Sequence, residues 1–318
     1  MIALALVLAL QPAAAAQADP IGAMLAAQEQ VPVPESAEPE NVDLVEGSMR
    51  AQLMAAAPVD FCRGYLREGS LLICRFLPHA TVELGDGIAA QADEEGFVTL
   101  GIPREAPNAM TLRIGYRLGD GTPGEIVETV HIVQREYDLQ HVDGVPQATV
   151  TPDPSTLERR QREYAQKQEA FASVWEGRGF LDGFIPPSQG ITTGVYGSAR
   201  VYNDGHEGSP HWGLDWANEI GTPVYAPAGG LVTLAEPDMY YEGGLIFIDH
   251  GQGLISAFLH LSGVSVEAGN VVEQGQLIGA MGAGGRATGS HLDWRVKLRN
   301  RFYVDPQTLL ELDLTDLE

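Results

Sequence analysis

The chain has 318 residues, 44% of them hydrophobic and only 19% charged, with 37 Gly and 20 Pro. That length suffices for two modest domains, each with its own core, and that composition belongs to a turn-rich, mainly β protein rather than a helical one. The net charge of −24 opposes an electrostatic grip on nucleic acid or on an anionic membrane surface, so neither is expected as a partner.

Residues 1–16, within "MIALALVLALQPAAAAQADP", form an apolar run of signal-peptide length, and Ala14-Ala15-Ala16 offers small residues for cleavage before Gln17. The run is short for a membrane span and lacks the usual positive start, but export with cleavage is the expectation. Residues 17–57 are rich in Ala, Pro, Gln and Glu and poor in aromatics, the composition of an acidic disordered arm.

From 58 to 138 come short β-type runs, "SLLICRF", "ATVEL", "GFVTL", "MTLRIGYRL" and "IVETVHIV", separated by turn signals such as "GDG" at Gly85 and "GDGTPG" at Gly119. They predict a small β-sandwich. Cys62 and Cys74, the only cysteines, favour a disulfide in an exported chain, with two buried thiols as the other reading; both are structural roles. His79, His131 and His141 have no partner at ligand spacing and are expected to carry no chemistry.

Residues 152–178 predict a helical spacer. Ser155 and Glu158 read as a capping box opening a charged helix that should end near Gly177.

Five of the eight histidines, His206, His211, His250, His260 and His291, fall in the last third of the chain. His211 and Asp215 lie four apart in "HWGLDWA", and imidazole nitrogen and carboxylate oxygen both bind zinc well. His291 and Asp293 in "TGSHLDWR" are separated by one residue, which on a strand points both to one face. His250 in "IDHG" reads as the fixture of a turn and His206 as an exposed loop residue. Of Trp212, Trp216 and Trp294, two are expected in the core.

"GTPVYAPAGGLVTLAE", "GGLIFIDHGQGLISAFLHLS", "VEAGNVVEQGQLIGAMGAGGRATGSHLDW" and "VDPQTLL" follow one another in order. With the His-x-x-x-Asp pair, they make the region from about Gly190 to Leu312 resemble the lysostaphin-type (LytM-type) zinc endopeptidases, which cut the peptide part of bacterial peptidoglycan. The preceding sandwich and helix look like the N-terminal region of exported Gram-negative members. The resemblance implies an antiparallel β-sheet metallopeptidase domain with a groove over 188–312, and a zinc ion (Zn2+) at the groove's floor. Carried over by motif, His211 and Asp215 are metal ligands. His260, of the "HLS" element, and His291, the first residue of a His-x-His motif, are catalytic. Asp293 stands at the third ligand position, where the family has histidine. Three ligands of which two are carboxylates would neutralise the dication, which implies a weaker Lewis acid than two histidines and one aspartate give.

The implied reaction is metal-assisted hydrolysis of peptidoglycan stem-peptide cross-links in the periplasm or cell envelope, with a cell-wall amidase or another envelope protein as a further partner. The alternative implied by Asp293 is a metal-free, degenerate domain that binds and activates a cell-wall amidase. Phe258, two before the "HLS" histidine, replaces a frequent tyrosine and so lacks a hydroxyl that could assist the reaction. Ser290 replaces a proline common before the His-x-His pair and is expected to loosen that turn. Asn203 lies where some relatives have a latency ligand, a role the surrounding sequence does not support. Arg286 is expected to meet either a substrate carboxylate or a structural hydrogen-bond partner.

Overall fold

The first seven strands are β1 (Arg63–Gly64), β2 (Leu71–Arg75), β3 (Thr81–Leu84), β4 (Ala89–Gln91), β5 (Phe97–Gly101), β6 (Ala109–Arg117) and β7 (Pro123–His131). They belong to a computed structural model that describes residues 62–85, 89–202, 205–315 and 317; the expected signal and acidic arm lie outside the described residues. The seven strands form two antiparallel sheets, in the orders β1-β2-β5 and β4-β3-β6-β7. In β6, Met110, Leu112 and Ile114 point inward while Thr111 and Arg113 face water, the period-two alternation of a half-buried strand. Cys62 and Cys74 are joined as a disulfide buried within this core.

β2 does not alternate, because both of its faces are covered. Leu72 and Cys74 belong to the N-terminal core, whereas Leu71 and Ile73 pack into the core of the C-terminal sheet. The unbroken apolar run "LLIC" is thus the signature of a strand buried on both sides.

β8 (Leu139–Val142) leaves the sandwich and pairs in parallel with β10 (Ala199–Tyr202), which also pairs with β11 (His206–Glu207). A short helix, α1 (Gln147–Val150), precedes α2 (Leu157–Phe171). The predicted capping box is not formed. Asp153 accepts a hydrogen bond from Ser155 N (2.8 Å) in a 3-10 turn over Pro154–Thr156, and the helix begins only at Leu157 with no side-chain cap. Nor does α2 run on towards Gly177. It ends at Phe171, whose ring meets Phe247 at 4.2 Å between centroids, and Ser173 Oγ and Trp175 N then donate to Asp249. The helix is therefore a packed element and not a free spacer.

The C-terminal sheet contains β9 (Ile191–Gly194), β12 (Gly213–Ala217), β13 (Pro223–Tyr225), β14 (Gly230–Met239), β15 (Gly243–Asp249), β16 (Leu254–Val264), β17 (Val271–Val272), β18 (Leu277–Met281), β19 (His291–Leu298) and β20 (Phe302–Val304). Its main path is β17-β14-β15-β16-β19-β12-β9, antiparallel throughout. A last short helix, α3 (Pro306–Leu310), starts at Asp305, which caps it by accepting from Gln307 N. One face of the sheet carries the main core, with Phe258, Trp216 and Trp294. On the other face α2 covers Leu245, Phe247, Ile255, Ala257 and Leu259. Beyond the helix, that second face is open along β12 and β19, and the candidate site lies there.

Candidate metal centre

β12 and β19 pair antiparallel with Asp215 directly opposite Asp293. Two carboxylates facing each other across strands repel, yet Asp215, Asp293 and His211 are all buried, at 5%, 1% and 2% exposure. Such an arrangement needs positive charge close by. His211 sits in the turn before β12, pinned by bonds from His211 N to Ser198 O (2.9 Å) and from Gly197 N to His211 O (2.7 Å). Its ring Nδ1 lies 3.1 Å from Val195 O. A carbonyl only accepts, so Nδ1 carries the proton and the Nε2 lone pair is turned inward. Nε2 is 2.9 Å from Asp215 Oδ1 and 3.6 Å from Asp293 Oδ1.

His211 Nε2 and Asp215 Oδ1 are both buried without a hydrogen-bond partner. Two lone-pair atoms so close are unfavourable unless a cation, proton or metal, lies between them. Burial would lower the His211 pKa, but Asp215 and Asp293 outweigh it and raise it above the ordinary value. One donor atom from each of the three residues falls within 4.8 Å of the others, and one imidazole with two carboxylates is a donor set suited to zinc. The residues fit a metal.

Two arginines, Arg200 and Arg295, supply the fixed positive charge. Arg200 Nη2 donates to Asp215 Oδ2 at 2.9 Å. Arg295 takes both oxygens of Asp293, with Nε 3.0 Å from each and Nη2 2.5 Å from Oδ2. Burial and the opposing carboxylate push Asp215 up, but His211 and Arg200 bring it below the usual carboxylate range. Asp293 is pushed up by burial and held well below that range by Arg295 and His211. Two glycines make room for these pairs. A Cβ on Gly194 would come 2.3 Å from Asp215 Oδ2, and one on Gly213 would come 2.4 Å from Asp293 Oδ1.

His260 and His291 stand beside this cluster, their rings 4.7 Å apart. On a regular strand His260 would share the face of Phe258, away from Asp293. Its φ of +65°, in a stretch where the register slips against β15 and β18, turns the ring into the groove instead. Left-handed backbone at a histidine costs on the order of 1–3 kcal/mol and gathers at functional sites. Nδ1 of His260 lies 2.8 Å from Gly284 O and Nδ1 of His291 3.0 Å from Gly289 O, so in both, as in His211, Nδ1 carries the proton and Nε2 is left with its lone pair. Burial, reinforced by His291, lowers the His260 pKa to about 4, so the ring is neutral at neutral pH.

These groups floor a cavity of 630 Å³ whose walls include Gln140, Val142, Val145 and Val150 on one side and Trp212 and Tyr241 on others.

Residues 209–306 match the model of Peptidase family M23. The chain carries an M23 peptidase domain. The domain is 41% identical over 93 residues to the peptidoglycan DD-endopeptidase ShyA of Vibrio cholerae, a stretch that is 29% of this chain and 21% of that protein. It is 40% identical over 92 residues to ShyB of the same organism, again 29% of this chain and 21% of the relative. The chain thus matches about a fifth of the length of these curated relatives. Among solved structures, a candidate M23 peptidase from Pseudomonas aeruginosa superposes with a TM-score of 0.58 at 26% identity, over 81% of this chain and 98% of that one. That likeness extends well beyond the M23 domain into the sandwich.

Within the M23 domain, the five residues singled out by motif, His211, Asp215, His260, His291 and Asp293, all line the one groove. Other expectations change. Phe258 is fully buried in the main core on the opposite face, so a hydroxyl there would point away from the groove and its absence has no bearing on the site. Arg286 donates to Thr149 O and stacks 4.7 Å from the Tyr241 ring centre, which gives it a structural partner. His250 is fully buried, with Nδ1 2.8 Å from Gly229 O and Nε2 2.8 Å from Ser256 Oγ, itself bonded to Trp294 Nε1 at 3.0 Å. Trp216 and Trp294 are core, and Trp212 is half-buried at the groove. Ser290 also lines the groove. Asn203 and the His206 side chain lie outside the described residues.

The charge count changes as well. Arg200 and Arg295 offset the charge of the two carboxylates, which opposes the weakening of Lewis acidity expected from two carboxylate ligands. Sequence reasoning missed Arg200, Arg295, Gly194 and Gly213. Arg295 was within reach, since it stands two residues after Asp293 on the same strand face.

Proposed function

We propose that this chain is an exported zinc endopeptidase that hydrolyses peptide cross-links of bacterial peptidoglycan. The observation that carries the reading is the facing pair of His211 Nε2 and Asp215 Oδ1, buried 2.9 Å apart with no hydrogen bond between them, inside an M23 domain whose relatives are named peptidoglycan DD-endopeptidases. His211, Asp215 and Asp293 would hold the metal. When bound, zinc polarises the scissile carbonyl and acidifies water.

The chain's own residues do the remainder. His260 and His291, with Nδ1 anchored on backbone carbonyls, keep Nε2 directed at the reacting centre to take up a proton and to bind the developing oxyanion. The half-buried Trp212 and the segment 140–150 wall the groove and would hold an extended stem peptide across it. The apolar N-terminal run and the Cys62–Cys74 bond support export to the periplasm or envelope. Among the described residues no helix is long and apolar enough to cross a membrane. A metal-free amidase activator is the weaker reading, because such a domain has no need of three oriented histidines and two neutralised carboxylates at one site.

The test is cleavage of purified peptidoglycan by residues 17–318. His260→Ala and His291→Ala should each retain zinc and lose about 10²–10⁴-fold in rate. A variant that loses zinc along with activity would make that histidine a ligand, and full activity in both would remove the proposed catalytic pair.

A further inference from the structure

Arg200 and Arg295 hold the two carboxylates in different ways. Arg200 reaches only Asp215 Oδ2 (2.9 Å) and leaves Oδ1 without a hydrogen-bond partner, facing His211 Nε2. Arg295 lies across both oxygens of Asp293, at 3.0, 3.0 and 2.5 Å. The bidentate fork is the stronger and more specific geometry. It uses the oxygen, Asp293 Oδ1, that faces His211 Nε2 at 3.6 Å.

We infer that Arg295 is an internal counter-ion that competes with the metal for Asp293, and so sets the metal affinity of the site, whereas Arg200 orients Asp215 without competing. The inference rests on the proposed zinc centre. Asp293 is 1% exposed and sits directly opposite Asp215, so without the metal it needs Arg295 to remain charged and buried. Were Asp293 to hold the metal, guanidinium and cation would have to share one carboxylate, two positive groups on one anion. The space for this sharing comes from Gly213, where a Cβ would meet both Asp293 Oδ1 (2.4 Å) and Arg295 Cγ (2.7 Å). The arrangement keeps the site assembled when metal is scarce, at the expense of affinity when it is present.

The experiment is zinc titration against a chromogenic chelator for the wild-type chain, Arg295→Gln, Arg295→Lys and Arg200→Gln. Arg295→Gln should bind zinc about tenfold more tightly or better. Arg295→Lys keeps the charge but not the fork and should fall between the two. Arg200→Gln should bind no more tightly than wild type. If Arg295→Gln does not fold without metal, the lysine variant carries the comparison. Unchanged or weaker binding by the Arg295 variants, with wild type binding zinc normally, overturns the inference and leaves the zinc centre standing. Equal tightening by Arg200→Gln also overturns it, since a general charge effect would then suffice. Zinc binding by Arg295→Gln but not by wild type would sustain the inference and defeat the proposed enzyme. Absence of binding in all four would defeat both.

Discussion

Gly213 and Gly194 contribute no side chain, and the site depends on that. Each sits where any Cβ would lie within 2.5 Å of a carboxylate of the site, at 2.4 Å from Asp293 Oδ1 and 2.3 Å from Asp215 Oδ2. Neither has a positive φ, so alanine at these positions is opposed by space alone and not by backbone strain. Gly213→Ala should displace the Asp293–Arg295 pair, lower zinc affinity at least about tenfold and cost on the order of 1–3 kcal/mol of stability. Chelator competition and a denaturant titration would check both numbers, and unaltered zinc affinity would mean that the pair can shift without consequence. Much of the residue-scale chemistry was legible in the sequence, because the short spacings of His211 with Asp215 and of His291 with Asp293, weak signals alone, fall within a run of motifs that resembles a known family. Arg200 was not. It comes 15 residues before Asp215 and reaches it only because the fold brings β10 beside β12.

At the scale of elements, the same strand logic succeeds where pairing is regular and fails where it is interrupted. Period two correctly groups His291, Asp293 and Arg295 on one face of β19. It misplaces His260, whose left-handed φ is invisible in "FLHLS". The helix was foreseen, but its limits were not. Asp153 captures Ser155 N before the capping box can form, and Phe171 ends the helix against Phe247. A buried relay fastens the end of β15 to the sheet. Trp294 Nε1 donates to Ser256 Oγ, whose hydroxyl faces His250 Nε2, and His250 Nδ1 donates to Gly229 O. Burial lowers the His250 pKa from 6.5 to about 4, so the unfolded chain binds this proton at a higher pH than the folded one. Its contribution is fully present above pH 6.5 and is lost as pH falls towards about 4, worth about 3 kcal/mol across the window. In urea titrations between pH 4 and 6.5, His250→Gln should show a pH slope smaller by about one proton than wild type. An identical slope would mean that His250 is already charged in the fold.

For the whole molecule, the two units expected from the sequence share more than a linker. β2 and β5 each send alternate residues into different cores, Leu71, Ile73 and Phe97 into one and Leu72, Cys74, Val98 and Leu100 into the other. Polar groups fasten the same seam. Gln252 Oε1 accepts from Thr99 N (2.8 Å), Gln252 Nε2 donates to Phe97 O (2.9 Å), and Arg299 donates to Thr99 O (2.8 Å) and Oγ1 (2.9 Å). Arg104 forks onto Gly197 O at 2.9 and 2.7 Å, two residues from the Val195 carbonyl that orients His211. The sandwich thus buttresses the 195–198 turn, whose backbone groups hold His211 in place. Nothing in the local sequence could reveal this, since the contacts join residues far apart in the chain. The expectation for calorimetry is a single transition with equal calorimetric and van't Hoff enthalpies; two separable transitions would show that the shared core does not couple the units.

The central claim is that His211, Asp215 and Asp293 form one metal site, with aspartate serving at the third position. The most direct test is the zinc content of residues 17–318, purified under oxidising conditions and dialysed against zinc, measured beside Asp293→Ala. The account predicts about one zinc per wild-type chain and none in the variant. Zinc retained by Asp293→Ala would contradict the role given to Asp293, and a wild-type chain that takes up no zinc would contradict the metal site altogether.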